Sequence, residues 1–250
     1  MDPSSETLST GVAAAWGVRA PSTRGPKRGL SLEAIVAAGV AVADAEGLAA
    51  VSMSRVAKEL GTAAMSLYRY VDSKDDLLSL MLDAAWGGPP TPAPELDWRA
   101  GLTRLAQGTV GAMRAHPWTV RIPVSGPPLG PNAVAWFEDA LAAMRDTGLT
   151  EAEKGSIVMM LGGYVTNHVL VMGDVQAHFL QAAPTPDAAM LDYGATLRRL
   201  TRPDRYPALH ALLDAGVFDR ADPPDEEFAF GLERILDGVE ALVQSRARSR

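Results

Sequence analysis

Apolar side chains recur at three-to-four-residue spacing from Leu32 onward, through Ile35, Val36, Gly39, Val40 and Ala43, which is one face of a helix. Ser31 ahead of this stripe is an N-cap and Gly47 behind it a stop, so the pattern predicts a helix over Leu32–Glu46. Met53, Val56, Ala57 and Leu60 make a shorter stripe, capped by Ser52 and stopped by Gly61. A further short helix is predicted over Thr62–Tyr70, and another from Ser73, with Asp75 and Asp76 in its first turn and Leu77, Leu78 and Met81 on its inner face. Four short helices thus close at Gly87.

Gly87–Pro94 is a proline-rich joint, after which longer helical stretches are predicted at about 98–115, 132–147, 151–173, 187–200 and 226–246. Thr150 with Glu153 is a capping box opening the third of these. Phe228, Leu232, Ile235, Leu236, Val239, Leu242 and Val243 run unbroken along the last. Residues 1–29 carry no helical stripe and read as a flexible arm. The organisation expected is therefore an arm over 1–29, a small helical head over 30–86 and a larger helical body over 95–250, all-α throughout.

Composition supports helices: 47% of residues are hydrophobic but only 6% aromatic, and the apolar share is mostly alanine, leucine, valine and methionine. The absence of cysteine excludes a disulfide framework, a thiolate metal site and a cysteine nucleophile, and a cytoplasmic setting is expected. Gly11–Val18 is too short for export or for crossing a bilayer, and no other stretch is read as a membrane helix, so no membrane partner is expected.

The net charge of −7 argues at first sight against a polyanionic partner. Binding, however, depends on the local face, and from Val18 to Lys74 eight basic residues stand against five acidic ones. The head is basic and the body carries the acid.

The most specific stretch is Arg55–Lys74, RVAKELGTAAMSLYRYVDSK. Ala57 lets the next helix approach, Gly61 can take the left-handed backbone of a tight corner, and Leu67 reaches back into a core, which leaves a polar surface for a DNA major groove. Arg69 can fork onto a guanine edge, whereas Ala63, Ala64 and Met65 offer only apolar contacts such as those to a thymine methyl.

The AKELG corner followed by SLYRYVDSK strongly resembles the DNA-binding head of the tetracycline-repressor (TetR) family. Trp98, GLTEAEK at 148–154 and FAFGLERILDGVEAL at 228–242 resemble the ligand-binding body of the subgroup nearest the tetracycline repressor itself. The resemblance implies that Thr62–Tyr68 is a recognition helix, with Ala64, Met65 and Ser66 toward base edges and Tyr68 and Lys74 toward phosphates. Ser54 and Arg55 lie where family members add a further contact. The chemistry agrees: Lys74 stands at a helix N-terminus, where free N–H groups already favour an anion, and the Tyr68 hydroxyl can donate to a phosphate oxygen. Tyr70 stays open between a DNA contact and packing inside the head. Arg24, Lys27 and Arg28 stay open between a solvated tail and the flanking minor groove.

In the body, Gly162, Gly163, Gly231 and Gly238 fall inside long helices, where each costs about 0.5–1 kcal/mol against alanine and so suggests close backbone approach to another element. The resemblance implies that these helices pair with their two-fold copies to form a homodimer; a crowded monomer core is the alternative. Trp118, Trp136, Phe137, Met144, Met160, Tyr164, Asn167, His168 and Met172 are candidates for an apolar ligand pocket with a few polar handles, although residues of these types on body helices are more often core than binding site.

The tetracycline subgroup chelates a magnesium–drug complex through histidine and glutamate, yet the matching segments read VRIPVSG at 120–126 and HVLVMGD at 168–174. No tetracycline–magnesium recognition, required metal or cofactor is expected. The reading is a dimeric regulator that binds an inverted-repeat operator in double-stranded DNA, represses, and is released by a small-molecule effector. A ligand-independent DNA-binding protein is the alternative. An all-helical enzyme using Tyr164 or His168 is more remote, because no nucleophile elbow, phosphate loop or HExxH pattern is present.

Overall fold

The structure is a computed structural model and describes residues 8–18, 30–91, 96–123, 126–223 and 225–248. Among these residues every regular element is helical. They fall into two compact units, one running to Thr166 and resuming at Glu240, the other spanning Asn167–Val239. The division falls inside the two longest helices.

The first unit begins with α1 (Thr10–Ala15), followed by α2 (Leu32–Glu46), a 3₁₀ turn at Leu48–Ala50, α3 (Met53–Glu59), α4 (Ala64–Leu67) and α5 (Lys74–Trp86). The caps are those read from the sequence: Ser31, Ser52 and Ser73 each accept the N–H three residues on, and Gly47, Gly61 and Gly87 all take positive φ. Ile35, Val42, Val51, Val56, Leu67, Val71, Leu77 and Met81 form the core beneath them. Gly39 is needed where α2 crosses α5, because a Cβ there would stand 2.6 Å from the Met81 sulfur.

α1 departs from the expectation of a flexible arm over residues 10–15. Ser9 caps it by accepting the Val12 N–H, and Ala14 and Ala15 pack on the head core. So short a run of small residues has no periodic stripe to announce it; docking supplies its stability. Arg24, Lys27 and Arg28 lie outside the described residues.

α4 is shorter than predicted, a single turn. Leu67, Tyr70 and Val71 all face the core, and the chain meets that demand by tightening, with the Tyr70 and Val71 N–H groups both donating to the Leu67 carbonyl at 2.8 and 3.1 Å.

α6 (Trp98–Ala115), a 3₁₀ turn at Pro117–Arg121 and α7 (Pro131–Ala143) follow, and α5 packs against both helices. Two buried side chains bind the end of α5 to α7. Asp83 accepts the Asn132 and Ala133 N–H groups at 3.3 and 2.8 Å, and Trp136 Nε1 donates to the Gly87 carbonyl at 2.9 Å.

α8 (Glu151–Ala182) runs well past the predicted end at Gly173, since a lone glycine does not stop a helix and the first prolines come at 184 and 186. Its capping box is as read: Thr150 N–H donates to Glu153 Oε2 at 2.8 Å and Glu153 N–H to Thr150 Oγ1 at 3.3 Å. Residues 151–179 are long and apolar enough, by length and composition, to cross a membrane, contrary to the sequence reading. That reading looked for an uninterrupted apolar run, and here the apolar residues are interspersed with Glu153, Lys154, Asn167, His168 and Asp174.

In the second unit α9 (Pro186–Leu200) packs on α10 (Pro207–Asp214), with Arg198 donating to Asp214 and to the Leu213 carbonyl. α10 was not foreseen; Pro207 at its first position starts it and Gly216, at positive φ, follows its end. α11 (Glu226–Arg248) ends the described chain.

Candidate nucleic-acid interface and sensing body

α3 and α4 meet across Gly61, whose φ of 61° only glycine adopts readily. The corner is held from within: Val56, Ala57 and Leu67 are buried, and the Thr62 N–H donates to the Ala57 carbonyl at 2.9 Å. What remains outside is the set named from the sequence. Ser54, Ala63, Met65, Tyr68, Arg69 and Lys74 are exposed, Met65 to 76%, and Thr62, Ala64 and Ser66 are half-buried. A methionine so exposed on a well-packed turn gains nothing from the fold and is free for an apolar contact.

Two residues are otherwise engaged. The Tyr70 hydroxyl donates to the Leu30 carbonyl at 3.0 Å and its ring packs on the head core, which favours the packing reading. Arg55 is forked between Glu46 at 2.5 Å and Glu59 at 2.8 Å. The Glu46 carboxylate foremost, and Glu59 with it, raise the basicity of the guanidinium, and Arg55 in turn lowers the pKa of Glu46. Any phosphate drawing on Arg55 competes with two carboxylates already in place.

Lys74 is the first residue of α5, with Ser73 as its cap. The turn before it is braced by Asp76, whose Oδ2 accepts the Asp72 N–H at 2.9 Å. Asp76, Leu80 and Asp83 share one face at i, i+4 and i+7 spacing, and all three are buried. The sequence reading saw Asp76 only as a complement to the helix dipole. Two carboxylates flanking a leucine on an otherwise apolar face were the available signal that both are structural.

The nine pocket candidates do not share one environment. Trp118 packs in the head core, and its Nε1 donates to Asp44 Oδ1 at 2.6 Å. Trp136 is tied to Gly87, and Met144 is fully buried. Phe137 is exposed. Met160 lines a shallow apolar depression of about 280 Å³ with Ala152, Glu153, Ser156, Ile157 and Leu242. Tyr164 is half-buried on α8. In the second unit Asn167 and Met172 are exposed, and the His168 ring lies 5.1 Å from that of Phe228.

The helix glycines bear on the crowded-core alternative. A Cβ added at Gly162, Gly163 or Gly238 would meet nothing within 4 Å, so no neighbour in this chain requires them. Beside the first two, Met159 is 75% exposed, and only 22% of the most apolar window of α8 is buried.

Residues 91–243 match the family described as tetracyclin repressor-like, C-terminal domain, and residues 35–81 match the bacterial regulatory proteins, tetR family. The chain belongs to the TetR family. It is similar to the HTH-type transcriptional repressor DrrR1 of Streptomyces coeruleorubidus, 39% identical over 92% of this chain and 85% of the relative. An HTH-type transcriptional regulator of Saccharopolyspora erythraea is 32% identical, with 85% of each chain covered. Among solved structures, the TetR-family protein ActR of Streptomyces coelicolor in complex with actinorhodin superposes with a TM-score of 0.74 at 28% identity, covering 86% of this chain and 97% of that one. This TetR-family chain is therefore a DNA-binding transcriptional regulator of the repressor type, not an enzyme.

Proposed function

We propose that this regulator acts in the cytoplasm as a homodimer, grips an inverted-repeat operator with the α3–α4 corner of each head, and lets go when a largely apolar small molecule enters its helical body. The observation that carries the DNA reading is the exposure of Ala63, Met65, Tyr68, Arg69 and Lys74 around a corner anchored from within by the buried Val56, Ala57 and Leu67. Met65 and Ala63 suit thymine methyls, Arg69 a guanine edge, and Tyr68 and Lys74 the backbone phosphates.

The open space around Gly162, Gly163 and Gly238 supports a second copy as the partner of α8 and α11, since close approach absent within one chain is available between two. The solved complex of ActR with actinorhodin supports a small-molecule effector. Trp118, Trp136 and Met144 are taken up by packing, which weighs against them as effector contacts. Release follows from the bonds between α5 and α7: an effector that displaces α7 pulls on α5 through Asp83 and Gly87 and moves Lys74. The effector must bind the displaced state better, or the equilibrium does not shift.

Sequencing the genomic fragments retained by the purified protein tests the operator reading. Enrichment of an inverted repeat with half-sites about one helical turn apart is expected, and fragments without a common sequence would end it. A dimer whose melting temperature ignores a chemically diverse library would instead be a ligand-independent DNA-binding protein.

A further inference from the structure

α1 lies outside the helix-turn-helix, and the DNA reading does not use it, yet it is bonded to the turn that presents Lys74. Ser9 Oγ donates to Asp76 Oδ1 at 2.5 Å, and the Gly11 N–H donates to Asp76 Oδ2 at 3.3 Å. The Thr10 N–H donates to Asp72 Oδ2 at 2.7 Å. Asp76 Oδ2 also accepts the Asp72 N–H, so both carboxylates of the turn around Lys74 are held by three successive residues at the start of α1.

Asp76 is buried, and a buried carboxylate that loses hydrogen bonds pays a desolvation cost unless it moves toward water. Without Ser9 and Gly11 it would swing outward and release the Asp72 N–H, loosening the turn on both sides of Lys74. Gly11 fits tightly: a Cβ there would stand 2.4 Å from Leu80 Cδ1 and 2.9 Å from Asp76 Oδ2. The other end of α1 is fixed independently, since Trp16 Nε1 donates to the Leu129 carbonyl at 2.7 Å.

We propose that Ser9, Thr10 and Gly11 are positioning residues for operator binding: by holding Asp72 and Asp76 they fix the turn that delivers Lys74 to a DNA phosphate. The grip on DNA then depends on docking of α1, a segment outside the α3–α4 corner. This rests on the phosphate role of Lys74 proposed above.

The test uses the full chain with Thr10→Pro, Gly11→Val and Lys74→Ala, each measured for operator affinity across a salt series. Thr10→Pro removes the N–H that reaches Asp72, together with the threonine hydroxyl. Proline is tolerated at the first position of a helix, and Ser9, at φ −56° and ψ 154°, already has the extended backbone that a following proline demands. Both α1 variants are expected to weaken operator binding by roughly threefold to tenfold per protomer, the scale of one hydrogen bond. They should also flatten the salt slope toward that of Lys74→Ala, by about 1 unit per half-site. Combined with Lys74→Ala they should add little, because all three act through one phosphate contact. Parental affinity and slope for Thr10→Pro and Gly11→Val beside a flattened Lys74→Ala would overturn the inference alone, as would losses that add in full. A parental slope for Lys74→Ala would overturn the phosphate reading and the inference with it. If Gly11→Val fails to fold, Thr10→Pro decides.

Discussion

Asp44, near the end of α2, accepts the indole N–H of Trp118 at 2.6 Å and lies 2.8 Å from the His116 ring nitrogen, so one carboxylate joins the head to the turn that follows α6. Burial pushes the Asp44 carboxyl up, but the bonds from His116 and Trp118 and the His116 charge outweigh it, and its pKa falls below the usual value. Asp44→Ala leaves the buried Trp118 N–H without this partner and is expected to cost about 1–3 kcal/mol in urea unfolding. Adding Trp118→Phe should recover part of that loss, because an apolar ring has no N–H to satisfy. A double variant as unstable as the sum of its singles would contradict the pairing.

Lys74 and Arg69 should separate by what they read. Lys74→Ala is expected to weaken binding to all duplexes alike, whereas Arg69→Ala relaxes preference at particular base pairs, a loss of about 1–3 kcal/mol at those positions. Arg55→Ala should matter less to DNA than either, because its guanidinium is already held by Glu46 and Glu59. Competition binding with operator and random duplexes distinguishes the three; equal losses on both duplexes for Arg69→Ala would remove its base-reading role.

Leu67 is the fully buried anchor of the single-turn α4. Leu67→Ala should lower stability by about 2–5 kcal/mol and detach the exposed residues on either side of it. Calorimetry and operator binding should fail together; intact DNA binding in a destabilised variant would show that α4 is held by something else.

Glu153 is held at a pKa of about 2, chiefly by the hydrogen bond from Arg246 and then by the Thr150 N–H. Its folded pKa is depressed, so the stabilisation is fully present above the ordinary carboxylate value near 4.5 and is lost as pH falls toward about 2. Glu153→Gln should therefore be less stable than the parent at neutral pH, with the gap narrowing as the solution is acidified below about 4. The group is solvent-accessible, so the gap should also shrink with added salt. A gap constant from pH 7 to about pH 2 would rule out the pairing.

The parts of this fold legible in the sequence are those whose physics closes within a few residues. Ser31, Ser52 and Ser73 bond three positions ahead, Thr150 and Glu153 cap one another, and Gly61 turns its corner by its own backbone. The exposed residues of the corner follow from the same local pattern, since burial of Leu67 dictates which neighbours face out. What could not be read depends on distant partners. Ser9 finds Asp76 across 67 positions, Trp118 finds Asp44 across 74 and Asn132 finds Asp83 across 49. No periodicity marks such pairs, and for that reason α1 passed for an arm and Trp118 stayed open between pocket and core. The tight turn after α4 likewise reflects a demand by Tyr70 and Val71 for the core, which propensity cannot weigh.

The bonds at the two ends of α5 carry a mechanical implication. At about 1.5 Å per residue its 13 residues make a rod of roughly 20 Å, with Lys74 at one tip and Asp83 and Gly87 pinned near the other. Rotating such a rod by about 5° around its pinned end sweeps the far tip through roughly 1.7 Å, enough to carry a 2.9 Å contact out of hydrogen-bonding range. A very small angular change in the body is thus sufficient to unclasp a phosphate, and a rigid helix does the amplifying.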